Sequence, residues 1–536
     1  MAPLEASAAD PRLIDKLGAD RALRDRVLPW RSEGAVTVLA AVDPVWAEAQ
    51  RERYEKVFGP VSIATADRTA FEKSLLELRR GALAKRAEHR TPASVSCRTF
   101  KGFRLLGGGS LALIVFAAAL VFAPVAVFLA LTFWAGFWLL ASTLLRVAAA
   151  HSSVAPPRTM PALADEDLPI ISILIPLFRE KNIVERLIRR LSTIDYPVDR
   201  LDLCLVVEKQ DTITQETLKG IEFPPSMRTI IVPPGNLQTK PRALNFAIDF
   251  TDGEIIGIYD AEDAPATDQL RRVAAQFAVA DRRVACLQGR LDFYNSDRNW
   301  LARCFTIDYA TWFHAILPGL DRLRLPLPLG GTTLFFRRDA IEALGGWDAH
   351  NVTEDADLGI RLTRRGWRTE IINTVTDEEA NCRAWPWVKQ RSRWIKGYAL
   401  TWLVHMRAPR TLLADLGLWR FLGFQIIFLG ALTQYALAPL LWSFWIAALG
   451  LAHPVTSAMA PLWAFGLVIL FVAAELANAT ISVIACRRAG HWRKVPWVPF
   501  MLLYYPLGAI AAWKAFWEIL RKPFFWDKTE HGFESN

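Results

Sequence analysis

Apolar residues are distributed unevenly along this chain. No charged residue occurs from Leu105 to Leu145, and none from Phe421 to Ala474. A helix needs about 20 apolar residues to cross a bilayer. The first stretch is long enough for two crossings with a turn near Ala123-Pro124, which predicts a transmembrane hairpin over 105–147. The second predicts a C-terminal transmembrane region, 418–517, with spans at about 421–450, kinked at Pro439, and at 461–485. A third apolar stretch, 495–517, holds Pro496, Pro499 and Pro506. It fits either a span or a re-entrant segment.

Between these regions the pattern changes. Ile170 to Pro176, Leu203 to Glu208, Arg228 to Val232 and Glu254 to Asp260 are short runs rich in β-branched residues. Helical patterns such as 182–194 separate them. Strands alternating with helices predict a doubly wound α/β domain, which binds its ligand at the carboxyl ends of the strands. Glu208 and Asp260 both fall at such ends. A Pro/Ala-rich linker, 149–168, precedes this domain. After Trp402 an amphipathic stretch ending at Arg410 predicts a helix lying along a membrane interface. Residues 1–92 read as a small α+β domain, with strands at 26–30, 35–40 and 59–64 and helices at 46–57 and 69–84. Residues 518–536 form a tail.

The net charge of +9 is concentrated beside the apolar stretches. Lys85, Arg86, Arg90, Arg98, Lys101 and Arg104 precede the first, and Arg146 and Arg158 follow it. Both flanks are therefore expected on the cytoplasmic side. No signal-peptide pattern opens the chain. No nucleic-acid recognition motif accompanies the charge, so nucleic acid is not an expected partner. The 6 cysteines form no CxxC pair and the 8 histidines show no zinc spacing, which fits reduced thiols and no zinc centre.

Three segments carry candidate chemistry. Asp260-Ala261-Glu262, ending a strand, offers hard oxygen ligands for Mg²⁺ or Mn²⁺ bridging to a diphosphate. Thr353-Glu354-Asp355 offers a carboxylate that can take a proton from a hydroxyl. Gln390-Arg391-Ser392-Arg393-Trp394 offers Arg393 for bidentate pyrophosphate binding and Trp394 as an apolar face for a sugar. Between them, Gly330-Gly331-Thr332-Thr333 allows close backbone approach, and Lys240 can meet a phosphate as a point charge. The set suits glycosyl transfer from a nucleotide sugar at a membrane.

In these motifs residues 169 to about 410 resemble a family 2 glycosyltransferase domain of the GT-A type. With its flanking helices the chain is similar to the membrane synthases of cellulose, chitin and hyaluronan. Residues 1–92 resemble the N-terminal domain of type II secretion ATPases. The resemblance implies an inverting, metal-dependent transferase. Glu208, standing where the family has an acidic pair, would contact uridine, with Asp211 as alternate. Lys240, Asp260 and Arg393 would complete the donor site, and Asp260 and Glu262 would hold the metal. Asp355 would be the catalytic base. Gly331, Thr332, Glu354 and Trp394 would lie on the acceptor side, beside Gln390. The expected enzyme uses a UDP-sugar to extend an exopolysaccharide at the bacterial inner (plasma) membrane. It is multi-pass, with a cytoplasmic catalytic domain and polysaccharide export partners. Transfer of one sugar to a lipid carrier is the alternative, and a degenerate, non-enzymatic receptor is a third reading. Two side chains have competing structural readings. Asp211 can cap a helix, and Asp357 can serve helix-start electrostatics. Glu475, mid-span with Asn478 and Ser482 on one face, fits either a glycan path or hydrogen bonding between helices.

Overall fold

The computed structural model describes residues 9–100, 114–154, 160–181 and 183–525. The N-terminal unit is built on three strands, β1 (Val27–Glu33), β2 (Val36–Ala41) and β3 (Val61–Thr65). β1 pairs antiparallel with β2, and β2 pairs parallel with β3. The crossover predicted as one helix is two, Pro44–Ala49 and Arg51–Phe58. Helix Arg68–His89 closes the unit, burying Phe71, Leu75 and Leu83.

The larger sheet has eight strands. These are β4 (Ile171–Leu177), β5 (Leu201–Glu208), β6 (Met227–Val232), β7 (Ile255–Ile258), β8 (Ala264–Pro265), β9 (Val284–Phe293), β10 (Leu334–Arg337) and β11 (Arg368–Glu378). Their spatial order is β6-β5-β4-β7-β10-β9-β11-β8. β4 to β7 run parallel, as does the pair β9 and β11. β10 is antiparallel to both β7 and β9, so β9 runs in the same direction as β7. The central strands are covered on both faces, which is why β4 and β5 read as unbroken apolar runs. Ile173, Ile175 and Leu205 pack against helices Val184–Leu191 and Gln269–Val279. Leu174 and Val206 pack on the other face with Leu244 and Phe246 of helix Lys240–Ala247.

Among the described residues, three helices are long and apolar enough to cross a membrane: Pro124–Ser152, Pro409–Ala436 and Pro461–Arg488. The first hairpin breaks at Ala123, as the Ala-Pro pair predicts, but its second arm runs to Ser152, into the expected linker. Residues 105–113 of its first arm, like 155–159 of that linker, lie outside the described residues. The expected kinked span at 421–450 is instead two helices. One reaches Ala436, with Gly417 at φ 73° inside it, and the other is Ala438–Ala448. Pro439 sits in the first turn of the second, where a missing N–H costs nothing. The helix expected after Trp402 is not a separate element: helix Ala384–His405 ends just past Trp402, and the next helix opens at Pro409. Trp492–Tyr504 and Pro506–Arg521 meet at a 44° bend, which suits one broken span or a re-entrant turn.

Candidate active site

Parallel β4, β5 and β7 carry Pro176–Glu180, Glu208 and Asp260 to one edge of the sheet. β9 and β11 deliver Phe293 and Glu378 to the same edge. Because β10 runs the other way, the residues before it, Gly330–Thr333, arrive there too. A cavity of about 670 Å³ opens along this edge. Of the residues expected from the sequence to contact donor, acceptor or metal or to act as the base, all but Asp211 line it.

The Asp260 turn is held from below. The buried Asp263 carboxylate accepts the Asp260 N–H at 2.8 Å and the Thr332 hydroxyl proton. Thr332 also accepts from Asp260 N at 3.2 Å. Thr332 lines the cavity, and its hydroxyl also supports the Asp260 turn. Lys240, the first residue of its helix, pairs with Asp260 and donates to the Gly331 carbonyl at 2.8 Å. Burial opposes its charge, but Asp260 and Glu354 outweigh burial and raise its pKa.

Glu354 and Asp355 occupy the first turn of helix Glu354–Arg364, where the backbone dipole favours negative charge. Asp355 accepts the Ala356 N–H at 2.8 Å. Its other oxygen faces Gly331, where an added Cβ would come within 3.3 Å of it. Burial and then Asp355 push Glu354 up to about 8. Burial raises Asp355 as well. Below about pH 4.5 Glu354 is neutral whether folded or unfolded. Between that pH and about 8 only the unfolded chain ionises fully, so stability falls across this window. Glu354→Gln is thus expected to raise the melting temperature at pH 9 and leave it nearly unchanged at pH 4. Equal effects at both pH values would contradict a buried neutral Glu354.

The sequence reading missed Glu378 and Glu379, which line the same cavity. Burial, then Asp263, Glu262 and Asp260, drives Glu378 well above the ordinary carboxylate range. The signal that marked Asp260, an acid at the carboxyl end of a strand, also marks this pair. So many carboxylates on one wall repel each other and attract a cation. Among the described residues, no three His, Cys, Asp or Glu side chains form a metal site by themselves. The oxygen donors Asp260 and Glu262 fit Mg²⁺ or Mn²⁺ taking its remaining ligands from diphosphate and water.

Glu208 receives Arg242 Nη1 on both oxygens, at 2.8 and 3.0 Å. Asp211 does not reach the cavity. It caps helix Thr212–Lys219 through Thr214 N at 3.2 Å and accepts Arg179 N at 2.5 Å. Capping therefore accounts for Asp211, and Glu208 is the member of this pair that lines the cavity. Asp357 is likewise structural, paired with Arg361 at 2.7 Å and His405 at 3.0 Å. On helix Ala384–His405, Gln390 accepts from Asn381 at 2.9 Å. Arg391 lies over both Trp387 and Trp394, at 5.0 and 4.8 Å, and pairs with Asp308 at 2.6 Å. Arg393 and Trp394 line the cavity.

The cavity continues between the apolar helices, past Ser142, Arg146, Gln434, Glu475 and Asn478. Gln434 donates to Ser142 at 2.6 Å, and Asn478 Oδ1 is buried without a hydrogen-bond partner. Ser482, on the same helix, turns away to pair with Thr311 at 3.1 Å. Glu475 and Asn478 thus face the cavity, whereas Ser482 joins helices.

Comparison with known proteins agrees with this geometry. Residues 255–513 match the family model described as glycosyl transferase family group 2, which leaves the N-terminal unit outside it. The beta-monoglucosyldiacylglycerol synthase of Synechocystis sp. is 27% identical over 63% of this chain and 72% of its own length. That of Trichormus variabilis is 28% identical over 49% of this chain and 56% of its own. The UDP-forming cellulose synthase catalytic subunit of Komagataeibacter sucrofermentans is 28% identical over 51% of this chain and 35% of its own. For the last two, the match spans about half of the relative or less. Among solved structures, a mannosyltransferase from Pyrobaculum calidifontis in complex with GDP-Man and Mn²⁺ overlays with TM-score 0.47 at 17% identity, covering 73% of this chain and 99% of its own. Residues 255–513, just under half of this chain, are thus similar to the glycosyl transferase family group 2 model, and the sheet that carries the site is of the α/β kind described above.

Proposed function

We propose that this protein is an inverting, metal-dependent membrane glycosyltransferase that passes a sugar from a nucleotide diphosphate, UDP in the first instance, to a growing glycan. One observation carries the reading. A single cavity holds Asp260, Glu262, Lys240 and Arg393 beside Asp355, and then runs on between apolar helices. The first group suits a diphosphate and its cation. Bound there, the cation supplies charge neutralisation for the leaving diphosphate. Asp355 takes the proton of the acceptor hydroxyl as its oxygen attacks the anomeric carbon. Trp394 offers a face to the acceptor sugar, and the exit past Arg146 and Glu475 suits a glycan or a lipid-linked acceptor.

Transfer of a single sugar to a lipid is the second reading. It is favoured by the apolar upper cavity and by the name of the Synechocystis relative. Purified protein incubated with a panel of nucleotide sugars tests the class. Free UDP appearing with one donor supports it, and no release with any donor removes it. Product sizing then separates a polymer ladder from one discrete lipid. Because Asp260 and Glu262 offer only oxygen ligands, excess EDTA is expected to abolish turnover and added Mg²⁺ or Mn²⁺ to restore it. Turnover unchanged in EDTA would remove the metal from the mechanism.

The site is read as cytoplasmic at a bacterial inner membrane, with polysaccharide export partners beyond it. The N-terminal unit, secretion-ATPase-like in its pattern, is read as a docking domain. It meets the catalytic sheet directly, with Arg86 and Arg90 on Asp249 at 2.5 and 2.8 Å. Both units therefore share one side of the bilayer. Cysteines introduced near residues 50 and 200 are expected to resist an impermeant thiol reagent in intact cells. Labelling of either from outside would reverse the topology.

A further inference from the structure

The N-terminal unit does more than lie beside the catalytic domain. Glu88, in the last turn of helix Arg68–His89, is 4% exposed although it carries a carboxylate. It points into the loop between β6 and helix Lys240–Ala247. There it accepts the backbone N–H groups of Asn236 at 2.5 Å and Leu237 at 3.1 Å, and the Asn236 side chain at 3.3 Å. Its Oε1 also lies 3.6 Å from Arg242 Nε. Arg242 is 1% exposed and binds Glu208 through Nη1 and the Pro233 carbonyl through Nη2. Two nitrogens of this guanidinium are hydrogen-bonded, and the third, the buried Nε, has no hydrogen-bond partner and faces the Glu88 carboxylate of the N-terminal unit at ion-pair distance. Gly235 is confined by the same contact, since a Cβ there would fall 2.4 Å from Glu88 Oε1.

The loop held in this way lines the donor end of the cavity through Gln238 and Thr239 and leads straight into Lys240. Its backbone groups do not otherwise belong to a sheet or helix, so their placement depends on what they bond to. A buried carboxylate accepting two N–H groups is a strong local restraint, and one left without such partners is costly.

We propose that Glu88 is a positioning residue for the donor nucleotide. It sets the loop before Lys240 and, through Arg242, the orientation of Glu208, so that the N-terminal unit is a working part of the donor site. This rests on the reading of Glu208 and Lys240 as donor contacts. Glu88→Gln keeps the side-chain shape and an acceptor for the loop but removes the charge facing Arg242. The guanidinium is then left to Glu208 alone and closes on it.

The test uses full-length protein in detergent with Mg²⁺, titrated calorimetrically with UDP and with GDP and assayed for turnover where a donor is known. Glu88→Gln is expected to weaken diphosphate binding about tenfold and to raise the donor KM with little change in kcat. Gly235→Ala, which disturbs the same contact from the loop side, should do the same, and Glu88→Asp should recover part of the loss. Arg86→Gln breaks a docking ion pair that does not touch the loop. It should lower the melting temperature without changing diphosphate affinity. Wild-type binding with equal affinity in Glu88→Gln and Gly235→Ala would overturn the positioning role. So would Arg86→Gln weakening diphosphate binding as much as Glu88→Gln does, since docking alone would then explain the loss. Wild-type protein that binds neither diphosphate would overturn the donor reading and this inference with it.

Discussion

Asp355→Asn is expected to lower sugar transfer by about 10²–10⁴-fold while leaving diphosphate affinity near that of the wild type. A sugar hydroxyl is a weak nucleophile while it holds its proton, so a positioned base contributes in the transition state and little before it. Asp355 has the required placement. One oxygen is tied to Ala356 N and the other is left at the Gly331 wall of the cavity. Asn preserves that shape and loses only the proton acceptor. Because the proposed nucleotide contacts, Glu208, Lys240 and Asp260, lie on other elements, binding should survive. Turnover measured beside a UDP titration checks this. Near-normal transfer by Asp355→Asn would remove the base assignment, and so would a loss of binding as large as its loss of transfer.

Asp260→Asn is expected to fail at the opposite step. Donor and metal affinity should fall by about 10²-fold or more, with turnover falling in parallel. The substitution removes a charge that would face the proposed cation. It also leaves Lys240 buried beside Gly331 without its carboxylate partner, and breaking such a pair is costlier than never having formed it. The neighbouring support remains, because Asp263 and Thr332 bond to the backbone N–H of residue 260 and not to its side chain. The variant should therefore fold. A single cooperative melting transition, lowered by the broken Lys240 pair but not lost, together with lost binding of UDP and Mn²⁺, would separate a site defect from a folding defect. Retained metal-dependent UDP binding in Asp260→Asn would move the cation elsewhere, with Glu378 the nearest alternative.

The sequence by itself determined the parts whose causes are local. Apolar stretches free of charge mark the membrane helices because a bilayer core accepts little else. Short β-branched runs alternating with amphipathic segments mark the sheet, and the ends of those runs mark its ligand edge, which is how Glu208 and Asp260 could be placed before any coordinates. Ala123-Pro124 was legible as a break for the same reason, since proline cannot continue a helix from within. The fate of Thr332, Asp211 and Glu378 was decided elsewhere. Thr332 supports Asp260 because β10 lies antiparallel beside β7, a pairing between segments some seventy residues apart that no local preference contains. Asp211 turns into a helix cap because Arg179 and Thr214 reach it first. Glu378 joins the acidic wall only because β11 runs parallel to β9. The placement of Glu88 against the donor loop depends on two units meeting across more than a hundred residues of chain. Which distant side chains satisfy a buried charge is a property of packing, and tertiary structure alone could decide it.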